Sequence, residues 1–300
     1  MYTKMLIPLD GSKTAEKVLP LARILAGTLK LPIELLEVVD ISAASAHIVA
    51  DKARYLDLII AEAERSSQDY LNEIAASLAG VRIVCSVERG KPADVIIERA
   101  AAETGTLIAM ATHGRSGVNR WMMGSVAEKV LRGTSTPLFL VRAGEAETIG
   151  GSPTIKSIVV PLDGSDLAES VLPTVLEVAK TLDLEVVLCR AYELAASAYY
   201  GSEEYLPNYQ QLLREIKAEA ESYLEKKVQS LKASGLAKVS WVALEGSGAE
   251  EIVGYTREHP DALVAMCTHG RSGVSRWVLG SVAERVVRHS DDPVLVLHAA

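Results

Sequence analysis

The sequence predicts an α/β protein of two tandem, doubly wound domains, each with a five-stranded parallel sheet. Three observations carry this. The 300-residue chain repeats itself once. Strand and helix signals alternate through each copy. The runs that read as strands, such as LIAMA and FLV, are apolar at every residue, as parallel strands covered on both faces are. The repeat is explicit: MLIPLDGSKTAEKVLP returns as IVVPLDGSDLAESVLP, and THGRSGVNRWMMGSVAEKVLR returns as THGRSGVSRWVLGSVAERVVR. Asp10 to Asp163 is a step of 153 residues and Gly124 to Gly280 a step of 156, so the copies differ in length in their middles. A unit this long is a duplicated domain and not a solenoid repeat of about 20–50 residues. The boundaries fall at 1–143 and 156–300, with the Gly-, Ser- and Glu-rich segment 144–155 as linker.

In the first copy, residues 4–9 are an apolar run ended by Asp-Gly-Ser, with Ser12 placed to cap a following helix. Pro20 and Pro173 fall inside that first helix, against the rule for helix interiors, and read as kinks on a surface helix. Residues 33–39 are the second strand, and 51–78 a long helix with polar stripes. A third strand spans 81–88, and Pro92 opens a helix to 103. A fourth strand at 107–111, a helix at 124–132 and a strand at 137–141 complete the unit. The second copy follows the same order. The long helices near 51–79 and 203–234 read as solvated faces.

Bulk composition narrows the function classes. Hydrophobic residues make up 49% and charged residues 23%, and the formal net charge is −8. That balance argues against an extended nucleic-acid surface and against an anionic membrane partner. No N-terminal signal and no apolar run of about 20 residues is apparent, so the expectation is a cytoplasmic protein. Cys85, Cys189 and Cys267 lie far apart in apolar runs and read as small hydrophobes, with neither a disulfide nor a zinc site.

The chemistry concentrates after the fourth strand. Ligands of open parallel sheets bind beyond the strands' carboxyl ends. There Gly114 and Gly117 permit close backbone approach, and Gly124-Ser125 opens a helix whose N–H groups suit a phosphate. Arg115 and Arg120 add charge-assisted donors. The motif GxxxxGK[ST] is absent, as is GxGxxG after the first strand, which excludes the two commonest phosphate loops.

On these residues the chain resembles the universal stress protein family, in the tandem form of its ATP-binding branch. The branch motif is G-x2-G-x9-G-[ST]. Here the second glycine is Gly114, nine residues follow, and then come Gly124 and Ser125; the second copy has Gly270, Gly280 and Ser281. The first motif glycine is replaced by Ala111 in one copy and Cys267 in the other. The PLDGS start, the AExxLP helix and the last strands also resemble the family, and the likeness covers essentially the whole chain. It implies Rossmann-like domains of the adenine nucleotide alpha hydrolase-like class, related by a pseudo-two-fold axis, with the last strands pairing the halves and a homodimer possible. It implies ATP, ADP or AMP as ligand, with Mg²⁺ as an accompanying ion. Pro8, Leu9 and Asp10, with Pro161, Leu162 and Asp163, would end the first strands beside ribose or metal. Val38 and Ala191 would line the adenine, and Met110 and Met266 would flank the nucleotide. Gly114, Gly124, Ser125 and Val126, with Gly270, Gly280, Ser281 and Val282, would hold ribose and phosphates.

Some residues admit two readings. His113 and His269 could meet phosphate or serve the loop, and no nucleophile is fixed beside either. Asp10 and Asp163 could bind Mg²⁺ or hold their own loop in an Asx-turn. Arg115, Arg271, Gly117 and Gly273 read as ligand contacts; Trp121 and Trp277 read as packing. The loops containing AASA, at 43–46 and 195–198, could fold over the adenine or be ordinary loops. Three functions follow: a nucleotide-binding stress regulator, a slow Mg²⁺-dependent ATPase, or an interaction scaffold in which only the first site works.

Overall fold

The computed structural model describes residues 2–40, 56–78, 80–112, 123–142, 155–194, 209–268 and 279–298. The chain divides into two units, Met1–Thr154 with Leu295–His298 and Ile155–Val294 with the last two residues. The first runs β1 (Lys4–Leu9), α1 (Leu19–Leu29), β2 (Ile33–Val39), α2 (Leu56–Ser77), β3 (Ile83–Arg89), α3 (Pro92–Ala101), β4 (Thr106–Ala111), α4 (Ser125–Gly133) and β5 (Leu138–Val141). Its strands lie in the order β3-β2-β1-β4-β5. They are parallel, with Pro8 opposite Leu36, Leu36 opposite Ser86, and Ala111 opposite Val141.

That order is what the alternation of strand and helix produces. The chain winds outward from β1 to β3 and then returns to β4 on the other side of β1. Right-handed crossovers place α1 and α2 on one face and α3 and α4 on the other. The central strands β1 and β4 are therefore covered twice; every residue of β4 is buried, and Met5, Leu6 and Ile7 are fully so. Burying these aliphatic side chains contributes roughly 1.5–3 kcal/mol each. Each helix turns a small apolar stripe to the sheet, for example Ala127, Val130 and Leu131 of α4.

The second unit repeats the plan: β6 (Ser157–Pro161), α5 (Leu172–Leu182), β7 (Glu185–Tyr192), α6 (Tyr209–Ala233), β8 (Val239–Glu245), α7 (Gly248–Glu258), β9 (Ala262–Cys267), α8 (Ser281–His289) and β10 (Val294–Leu297). Its order is β8-β7-β6-β9-β10.

The prolines correct one expectation. Pro20 and Pro173 are not inside a helix but in the first turn of α1 and α5. A 3-10 turn at Ala15–Val18, or a one-turn helix at Asp166–Glu169, comes first and ends before the proline. At that place the missing N–H has no intrahelical partner to lose, so no kink is needed.

One polar feature of the first unit is buried at the amino ends of the strands. Glu34, 6% exposed, accepts from Lys4 Nζ at 2.9 Å, Arg99 Nε at 2.7 Å and Ser86 Oγ at 3.0 Å. Burial works against its charge, but the hydrogen bonds from Lys4 and Arg99 prevail and hold the carboxyl below its usual range. All three cysteines are free, and burial pushes the Cys189 thiol up to about 12.

Candidate functional site

The reversal of strand order between β1 and β4 leaves a crevice at their carboxyl ends, and a cavity of about 730 Å³ occupies it. Each wall follows from local sequence. Pro8, Leu9 and Asp10 come from the end of β1 and its exit; Val38 from the end of β2; Met110 and Ala111 from the end of β4; Gly124, Ser125 and Val126 from the start of α4. These are nine of the thirteen first-copy residues expected at the site. The other four, His113, Gly114, Arg115 and Gly117, lie outside the described residues, as do His269, Gly270, Arg271 and Gly273 of the second copy. The same holds for Arg120, Trp121, Trp277, the two AASA loops and residues 143–154.

The floor beside β1 is set by an Asx-turn. Asp10 Oδ1 accepts from Ser12 N at 3.1 Å and Ser12 Oγ at 2.6 Å, and Ser12 Oγ in turn accepts from Ala15 N at 3.1 Å. Asp163 and Ser165 repeat this at 2.9, 2.6 and 3.2 Å. Gly11 and Gly164 adopt φ of 77° and 88°, which a side chain would disfavour. Asp10 therefore holds its loop in the expected Asx-turn and also lines the cavity.

The start of α4 forms one wall of the cavity. Gly124 is extended, caps the helix without a side-chain hydrogen bond, and donates its own N–H to Thr112 O at 2.7 Å. The first-turn N–H groups of Ser125, Val126 and Ala127 have no intrahelical acceptors and sit on the cavity wall. Helix α8 begins identically, with Gly280 N donating to Thr268 O at 2.8 Å. Such a start favours an anion by backbone dipole and hydrogen bonds together.

A further wall was not foreseen. Helix α2 contributes Ala63, Ser66, Ser67 and Tyr70, and β2 contributes Glu37, which is 8% exposed. The long helix is thus not merely a solvated face. Tyr70 donates its hydroxyl hydrogen to Glu16 at 3.4 Å. Burial, then the neighbouring charges of Glu16 and Glu37, push its phenol well above the usual range. The one signal available in sequence was the repeat itself: Tyr223 stands to Glu169 as Tyr70 stands to Glu16.

In the second copy, Cys267 is buried at the place of the first motif glycine and lies 3.1 Å from Ser170 Oγ. The Ser170 hydroxyl already donates to Leu167 O at 2.8 Å, which leaves the thiol as donor. Among the described residues no helix is long and apolar enough to cross a membrane. Among them too, no group of three or more His, Cys, Asp and Glu residues is placed to hold a metal ion.

Fold and crevice define a class: tandem α/β units, the first with a cavity at the switch point of its parallel sheet. A model of the universal stress protein family matches residues 1–142 and again 154–298, and the chain belongs to that family, with two copies of its domain. Universal stress protein MJ0531 of Methanocaldococcus jannaschii is 33% identical over 147 residues, 49% of this chain and 84% of the relative. Universal stress protein YxiE of Bacillus subtilis is 29% identical over 148 residues, 47% of this chain and all of the relative. A universal stress protein structure from Archaeoglobus fulgidus aligns with 99% of this chain and 98% of its own at a TM-score of 0.72. At 22% identity that likeness speaks to the fold.

Proposed function

We propose that the chain binds an adenine nucleotide (ATP, ADP or AMP) at the carboxyl edge of its first sheet and acts as a stress-response regulator. One observation carries the reading: a single cavity of about 730 Å³ gathers the ends of β1, β2 and β4 and the open first turn of α4. Its volume falls within the range of small-molecule sites, roughly 300–1,000 Å³. The residues present fit the ligand. Val38, Met110 and Leu36 offer an apolar slot for a base, while Ser125 and the backbone of α4 offer donors to phosphate. Arg115, and in the second copy Ser281 and Arg271, belong to the same proposed motif.

The residues bind and orient; among the described residues of the cavity none is arranged as a nucleophile with its base. A micromolar complex needs about 8 kcal/mol net, which an apolar slot and a backbone cradle supply without catalysis. The ATPase reading rests on Asp10, which would bring Mg²⁺ to the phosphates. Mass spectrometry of small molecules released from freshly purified protein, followed by calorimetric titration with ATP and AMP, tests the proposal. Retained adenine nucleotide, or micromolar binding of either, is expected; titrations showing no binding of ATP, ADP or AMP would defeat it. Phosphate release that disappears in Asp10→Asn would move the protein to the ATPase reading.

A further inference from the structure

The second unit repeats the cradle of the first but changes the wall formed by its second strand and long helix. Where the first unit has Glu37 on β2, the second has Arg190 on β7. The two places are equivalent by geometry. Tyr70 and Tyr223 each donate to a glutamate 54 residues earlier, Glu16 at 3.4 Å and Glu169 at 2.9 Å. Around Tyr70 the first unit keeps an open cavity, bounded by the short side chains of Ala63 and Ser66. The matching residues on α6 are Ile216 and Glu219, both larger, and Val39 is matched by the buried Tyr192.

Arg190 uses this wall. Its guanidinium carbon lies 4.9 Å from the centre of the Tyr223 ring, and Nη2 reaches Glu219 Oε1 at 3.4 Å. Its side chain is only 10% exposed. Lys227 fixes the neighbouring Glu169 at 2.5 Å. A planar cation is thus stacked on the aromatic ring whose counterpart, in the first unit, borders the cavity.

We propose that Arg190 fills, in the second unit, the space that is open cavity beside Tyr70 in the first, so that the chain holds one adenine nucleotide and not two. The inference rests on the nucleotide-binding reading above. It makes Arg190 the residue that sets occupancy: Glu37 leaves the first cavity open, and the longer guanidinium fills the counterpart. The cradles at Gly124 and Gly280 are alike, so the walls decide occupancy.

Calorimetric titration of the full chain with AMP measures the number of sites. The wild type is expected to bind one per chain. Arg190→Ala is expected to raise this toward two, a gain that misfolding would not produce. Glu37→Arg should weaken the first site at least tenfold. Ser66→Glu, at an exposed helix position that the fold tolerates, should weaken it in the same sense by copying Glu219. Two equal sites in the wild type, or one site unchanged in Arg190→Ala, would overturn the inference and leave nucleotide binding intact. No binding at all would instead remove the reading on which it stands.

Discussion

Glu34 lies between two cations in the first sheet, and that placement sets its response to pH. Its carboxyl is held below the ordinary value in the folded chain. Stability from this group is therefore complete above the unfolded carboxylate value near 4.5 and is lost as pH falls through the folded value. Glu34→Ala leaves Lys4 with the half-exposed Glu103, at 3.2 Å, as its carboxylate partner and should cost about 1–3 kcal/mol at neutral pH. Urea unfolding from pH 7 to pH 3 should show that difference shrinking below pH 4.5. Asp292 behaves oppositely. Burial, together with the carboxylates of Asp291 and Asp261, raises it to about 6 against a hydrogen bond from the Ala262 amide. The folded state then holds the proton more tightly than the unfolded one, so stability falls as pH rises from about 4 to about 6. Asp292→Asn should melt higher than wild type at pH 7.5, with the gain vanishing near pH 4. An equal gain at both values would sink this assignment.

The elements separate fold from ligand at the start of α4. A carboxylate in a first helical turn ordinarily stabilises the helix by about 0.3–1 kcal/mol. Ser125→Asp should therefore raise the melting temperature slightly. If the same turn seats phosphate, the substitution should also weaken ATP binding by at least tenfold; unchanged affinity would show that the turn has no ligand role. This turn was legible in the sequence, because Gly-Ser after an apolar strand is a local signal and occurs twice. Strand positions were legible for the same reason: 4–9 and 33–39 read from apolar runs match β1 and β2. The start of α1 was not, since a continuous amphipathic stretch hides the short 3-10 turn that precedes Pro20. The cavity face of α2 was equally hidden. Ser66, Ser67 and Tyr70 look like ordinary helix polarity until the fold supplies Glu37 opposite them.

At the scale of the whole molecule, duplication made the fold easy to read, because each copy checks the other. It made the sites harder. Ala111 and Cys267 drew notice as departures from a motif, whereas the exchange of Glu37 for Arg190 lies outside any motif and gains meaning only from what surrounds it. A ligand that binds the folded chain alone raises its stability by about 2.7 kcal/mol at a hundredfold excess over Kd. Thermal unfolding with millimolar AMP should accordingly shift upward if the dissociation constant is micromolar, and Glu37→Arg should reduce that stabilisation by about 1.4 kcal/mol for each tenfold loss of affinity. An undiminished shift in that variant would place the ligand elsewhere.

The hydrogen bond from Gly124 N to Thr112 O, matched by Gly280 to Thr268, has a consequence for the intervening segment. It fastens together the two ends of the stretch that holds the motif spacing. Closing a loop between fastened ends costs entropy that grows only logarithmically with length, about 0.6 kcal/mol for a doubling. Chain closure therefore does not require nine residues between Gly114 and Gly124. On the nucleotide-binding proposal, the equal count in both copies serves the ligand and not chain closure. Two extra glycines after Gly117 should leave the unfolding midpoint nearly unchanged while nucleotide affinity falls. A large loss of stability would return that spacing to the fold.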